Sequence, residues 1–129
     1  MSRILVIDDD DLVRDTLVRI LTRAGYDAIG AKDGREGLKH FHLEPPDLIV
    51  TDVIMPEQDG IETVLQLRRS DATLPIIAIS GGGRARAMQF LETAQKLGAD
   101  LVLPKPVKQH DLLAAVSQLL ARVKEHRLA

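Results

Sequence analysis

The sequence contains no cysteine and no tryptophan. Disulfides, thiolate-held zinc and a thiol nucleophile are therefore excluded. Aromatic residues make up only 2% of the chain, so a core drawn from the 45% hydrophobic fraction must be aliphatic. A charge excess is missing too: 17 Lys plus Arg face 19 Asp plus Glu, for a net charge of -2. That leaves no basic footprint for nucleic acid and no polyacidic tail. The first apolar run, Ile4–Ile7, is too short for a signal peptide or a membrane span. There is no repeat, no low-complexity tract and no long linker. The expectation is a soluble, cytoplasmic chain whose 129 residues form one domain with a real core.

What the chain does have is an alternation of short apolar runs with helical patterns. Ile4–Ile7 reads as a buried strand. Leu12, Val13, Leu17, Ile20, Leu21 and Ala24 then recur at helical spacing, and Gly25 ends that helix. Residues 26–31 form a weak second strand, and 34–44 a short helix stopped by Pro45-Pro46. Residues 47–52 read as the third strand. A turn with Pro56 and Gly60 leads to a helix over 61–69. Residues 74–80 form the fourth strand, broken by Gly81-Gly82-Gly83. The next helix puts Ala87, Met88, Leu91, Ala94 and Leu97 on one face, and 100–104 is the fifth strand. The last helix carries Leu112, Leu113, Val116, Leu119, Leu120 and Val123 and ends near Glu125. Five strands each followed by a helix predict an α/β domain with a parallel sheet and right-handed crossovers. The runs at 48–50 and 76–79 are apolar at every position, as strands covered on both faces require.

Polar residues gather where the strands end. Asp8 and Asp9 follow the first strand, Asp52 ends the third, Ser80 the fourth, and Lys105 follows the fifth. The carboxyl edge of an open parallel sheet is where ligand sites form. Carboxylates crowded there repel, by roughly 4 kcal/mol for two charges ~4 Å apart at an effective dielectric of 20. A hard divalent cation with oxygen ligands and the compact charge of Lys105 would offset that. Carboxylates, Mg²⁺, a lysine and a hydroxyl suit phosphoryl chemistry, with an aspartate as nucleophile.

The segments "ILVIDDDD", "DLIVTDVIMPEQDG", "IIAIS" and "LVLPKP" together resemble the receiver domain of two-component response regulators, in the right order and spacing along the whole chain. The resemblance implies a flavodoxin-like three-layer (βα)5 fold with a five-stranded parallel sheet in the order 2-1-3-4-5. It implies a phosphorylation-controlled switch, single-domain and chemotaxis-receiver-like, with no output domain within residues 1–129. Asp52 matches the phospho-acceptor, which takes phosphorus from a phosphohistidine on a partner. Asp9 matches the direct Mg²⁺ ligand, Asp8 the acid that helps through water, and the backbone carbonyl of Ile54 a further ligand. Lys105 matches the lysine that meets Asp52 and later the phosphoryl group. Ser80 matches the switch hydroxyl, Gly81 the small residue that admits phosphate, and Lys105-Pro106 the cis peptide bond. The implied partners are a sensor histidine kinase or a histidine phosphotransfer protein, and a downstream effector protein. Direct nucleic-acid and membrane binding are not expected; a monomer or weak homodimer is. The receiver is expected to catalyse its own phosphoryl transfer and slow dephosphorylation rather than act as an enzyme on other substrates.

One departure matters. Many receivers carry Tyr or Phe three residues before the lysine, and here that switch position is Val102. Any propagated change must then run through Ser80, the loop with Arg84 and Arg86, and the surface of the helix after strand four, strand five and the last helix. Ile54 and Gly82 match the two positions that tune dephosphorylation in the family; neither offers a polar side chain to orient a hydrolytic water, so the resemblance implies a long-lived phosphorylated state. Two other functions fit parts of the pattern. A Mg²⁺-dependent phosphohydrolase would use Asp8 as nucleophile with Asp10 two residues on. A degenerate receiver would act only as a protein-binding module. Asp10 and Asp11 are read as cap and first turn of the first helix, with loss of Asp11 expected to cost about 1 kcal/mol. His40, His42, His110 and His126 have no common ligand spacing and are read as surface or partly buried residues.

Overall fold

A computed structural model of the chain describes residues 1–53, 60–81, 89, 92–93, 95–96 and 98–128. The elements are β1 (Arg3–Ile7), α1 (Asp11–Arg23), β2 (Asp27–Ala31), α2 (Gly34–Leu43), β3 (Leu48–Asp52), α3 (Gly60–Ser70), β4 (Ile76–Ser80), β5 (Leu101–Pro104) and α4 (Gln109–Leu128). Gln89, Glu92, Thr93, Gln95 and Lys96, between β4 and β5, are also helical. The strands form one parallel sheet in the order β2-β1-β3-β4-β5. That is the expected flavodoxin-like order.

Strand alternation divides the core into two layers. Leu5, Ile7, Ile49, Ile76 and Ala78 face Val64 and Leu67 of α3, with Leu38 and Phe41 of α2 packed alongside. Ile4, Val6, Leu48, Val50, Ile77 and Ile79 face Leu17 and Leu21 of α1 and Leu112, Val116 and Leu119 of α4. All five residues of β3 and of β4 are buried, which is why neither strand alternates with polar residues. Each fully buried Leu or Ile side chain contributes roughly 1.5–3 kcal/mol of apolar burial.

The element ends follow local chemistry. Asp10 caps α1, its carboxylate accepting from the Leu12 and Val13 N–H groups. Gly25, at φ 98°, then turns the chain out of the helix, and its N–H reaches Thr22 O. Asp33 caps α2 through the Glu36 N–H, a cap the sequence reading did not single out. Boundaries differ from expectation by one to three residues. β4 starts at Ile76 rather than Leu74, because Pro75 has no N–H for the ladder, although its carbonyl still accepts from Ile49. α2 stops at Leu43, one residue short of 44, and α4 continues to Leu128 rather than ending near Glu125. The expected turn with Pro56, the loop with Arg84 and Arg86, and the apolar face of Ala87, Met88, Leu91, Ala94 and Leu97 lie outside the described residues. Among the described residues, no helix is long and apolar enough to cross a membrane.

Candidate functional site at the carboxyl edge of the sheet

The topology brings the polar strand ends together. Asp8 follows β1, Asp52 ends the neighbouring β3, Ser80 ends β4, and Lys105 follows β5. Asp8, Asp52 and Ser80 are essentially inaccessible, at 0%, 2% and 0% exposure. Asp9 is exposed.

Lys105 is the hub. Its Nζ lies 2.9 Å from Asp8 Oδ2 and 3.0 Å from Asp52 Oδ2. Its backbone N–H donates to Ser80 O at 2.7 Å, which ties the end of β4 to the base of the lysine. The Lys105–Pro106 peptide bond is cis, as the resemblance implies. Gly81 passes close to the lysine stem: a Cβ there would sit 3.3 Å from Lys105 Cδ. Burial pushes the Lys105 pKa down, but the close contacts and charges of Asp8 and Asp52 outweigh it and hold the ammonium above its ordinary value. The lysine is therefore positive at any neutral pH.

Asp8 is fixed at both oxygens. Oδ1 accepts the Asp10 N–H at 2.9 Å. Oδ2 meets the ammonium by charge, without a well-aligned hydrogen bond. Oxygens of Asp8, Asp9 and Asp52 all lie within 4.8 Å of one another. Three hard anionic donors this close, one of them short of a hydrogen bond, are a set that fits a divalent cation such as Mg²⁺.

The remaining predicted residues divide as follows. Among the described residues, Ser80 Oγ makes only a long contact, 3.4 Å, to Gly81 O. Val102 lies opposite Ala78 on β5, half-buried against the α2–α3 side of the core. Ile54 and Gly82 lie outside the described residues. Asp10 is committed as a cap, which leaves it poorly placed as the second acid of a phosphohydrolase. Asp11 does not cap: it is 82% exposed and pairs with Arg14 at 2.6 Å. The cost of losing a cap therefore belongs to Asp10, not Asp11. His40 is half-buried beside Glu36, and His42 and His110 are exposed. Sequence reasoning missed Arg14, which donates to Asp8 O at 3.0 Å. An Arg three residues past an acid in a first helical turn was the available signal.

Known proteins share the family and the fold of this chain. The family model for the response regulator receiver domain matches residues 4–117. The alkaline phosphatase synthesis transcriptional regulatory protein PhoP of Bacillus subtilis is 40% identical over 122 residues, which are 94% of this chain and 49% of that protein. The response regulator MprA of Mycolicibacterium vanbaalenii is 41% identical over 120 residues, 93% of this chain and 51% of that protein. The chain thus spans about half the length of the curated relatives it matches. The solved structure of a response regulator receiver domain protein from Clostridium thermocellum aligns with a TM-score of 0.88 at 28% identity, covering 96% of this chain and 98% of that one.

Proposed function

The chain belongs to the response regulator receiver family, and on that premise we propose that Asp52 accepts a phosphoryl group from a phosphohistidine on a sensor histidine kinase or a histidine phosphotransfer protein. A carboxylate oxygen of Asp52 attacks phosphorus, and the bond from phosphorus to the imidazole nitrogen breaks. Asp9, Asp8 and Asp52 would hold Mg²⁺, with the Ile54 backbone carbonyl as a further ligand. Bound there, Mg²⁺ would neutralise phosphoryl oxygens in the transition state. Lys105 orients Asp52 before transfer and meets the phosphoryl oxygens afterwards. The Ser80 hydroxyl turns toward the new oxygens.

The observation that carries this reading is the shared ammonium, 2.9 Å from Asp8 and 3.0 Å from Asp52 in a cluster of three carboxylates. One cation between two buried acids leaves the cluster short of positive charge, which a divalent ion would supply. The change then reaches a downstream effector through the segment after β4 and the surface of β5 and α4. Val102 supplies no ring to join it. One relative's name assigns it transcriptional regulation, so output through a DNA-binding segment or partner fits the same switch. The protein is a regulator that catalyses its own phosphorylation rather than an enzyme on other substrates, and it works in the cytoplasm. Incubation with phosphoramidate tests this. We expect stoichiometric phosphoryl uptake with Mg²⁺ and none with EDTA. Repeated turnover of a generic phosphomonoester would favour a phosphohydrolase instead, and no uptake at all a binding module.

A further inference from the structure

Beyond the acids themselves, the peptide that joins two of them is held from outside the site. The Asp8 N–H donates to Ala31 O at 3.0 Å, extending the β1–β2 ladder one residue past Ile7. In a parallel ladder the Asp8 carbonyl would next accept from the N–H of Asp33. Asp33 instead caps α2, and the ladder stops. The donor that reaches the carbonyl is Arg14, from Nη1 at 3.0 Å. Its Nη2 pairs with Asp11, and its side chain is only 17% exposed. The bonded carbonyl belongs to the peptide between Asp8 and Asp9, so this contact, with the Asp8 N–H bond to Ala31, holds the backbone from which both acids leave.

A second observation bears on the same contact. Gly30 of β2 lies directly beneath the Arg14 stem. A Cβ at Gly30 would sit 2.9 Å from Arg14 Cδ, 3.0 Å from Cγ and 3.4 Å from Nε. The arginine crosses β2 where a side chain is missing, and any larger residue would push the guanidinium off its line.

We infer that Arg14, seated on Gly30, is a positioning residue for the Mg²⁺ site: it locks the Asp8–Asp9 peptide so that both carboxylates converge on one point. This rests on the metal role proposed above for Asp8 and Asp9. Partners that orient metal ligands from outside the coordination sphere commonly govern affinity. Simple electrostatics has the opposite sign. A guanidinium repels Mg²⁺, so its removal without loss of position would tighten binding.

The test is calorimetric titration of MgCl₂ into the full chain, with circular dichroism to verify folding, for wild type, Arg14→Met and Gly30→Ala. We expect the Mg²⁺ Kd to rise about tenfold in Arg14→Met. Gly30→Ala, which keeps every charge, should raise it in the same direction by a smaller factor, and the double variant should be no worse than Arg14→Met alone. An unchanged or lower Kd in Arg14→Met overturns the inference. If Arg14→Met fails to fold, Gly30→Ala decides: a weaker Kd supports positioning and an unchanged one overturns it. A wild type that binds no Mg²⁺ would refute the metal site itself, and this inference with it.

Discussion

Lys105→Met keeps most of the lysine stem and removes the charge, and the structure sets the size of the effect. The ammonium lies 2.9 Å and 3.0 Å from two carboxylates. At an effective dielectric of 20, each contact is worth about 5–6 kcal/mol gross, much of it offset by desolvation of the ions. What the variant leaves behind decides the net. Asp8 and Asp52 remain buried, with oxygens within 4.8 Å of each other. At that dielectric, two such charges repel by at least about 3.5 kcal/mol. Breaking a buried pair by removing one partner typically costs ~3–5 kcal/mol, and we predict a loss in that range at pH 7 without metal. Urea unfolding followed by far-ultraviolet circular dichroism, in EDTA, measures it. Mg²⁺ should restore part of the deficit. A loss below about 1 kcal/mol would refute the claim that Lys105 compensates the buried acids. The alkaline side follows from the raised Lys105 pKa. A group whose folded pKa is raised stabilises fully below its unfolded value, here 10.5, and that stability is lost as pH climbs through the folded value. The contribution of Lys105 should therefore be flat through neutrality and decline only above that point.

Other substitutions separate stability from chemistry. Asp10→Ala removes the α1 cap and should cost ~1 kcal/mol by denaturant unfolding while phosphoryl uptake persists. Asp11→Ala, at an exposed ion pair, should cost under ~1 kcal/mol in the same assay. Asp9→Ala should abolish Mg²⁺ binding by calorimetry yet leave the metal-free chain at least as stable, since it removes a like charge from the cluster. Thr63 is fully buried with its hydroxyl unpartnered. Thr63→Val should therefore raise the unfolding midpoint or leave it unchanged, by up to about 1 kcal/mol.

Much of the fold was written in local pattern. Strands β3 and β4 could be read from unbroken apolar runs, and the helices from spacing with caps at Asp10 and Gly25. The cluster at the carboxyl edge was also readable, because in a parallel sheet every strand end points the same way. The Lys105–Asp52 contact was implied only by the resemblance, and the Lys105–Asp8 contact was not anticipated. Asp8 and Lys105 are far apart in sequence, and only the β1-β3-β4-β5 arrangement puts them in contact. Arg68 makes the same point at the other edge. It donates to Gly98 O and pairs with Asp100 at 2.7 Å, closing α3 onto the start of β5, and nothing in its own helix announces a partner that distant. Arg14 was not singled out in sequence, because the space it occupies is left by Gly30 on a different element.

The central claim is that Asp52, served by Lys105 and the neighbouring acids, takes a single phosphoryl group. Intact-mass measurement after incubation with a small phosphodonor and Mg²⁺ tests it most directly, on wild type and on Asp52→Asn. The account predicts one added phosphoryl group on the wild type and none on the variant. Equal labelling of both would contradict it, as would a wild type that stays unmodified while Mg²⁺ is bound.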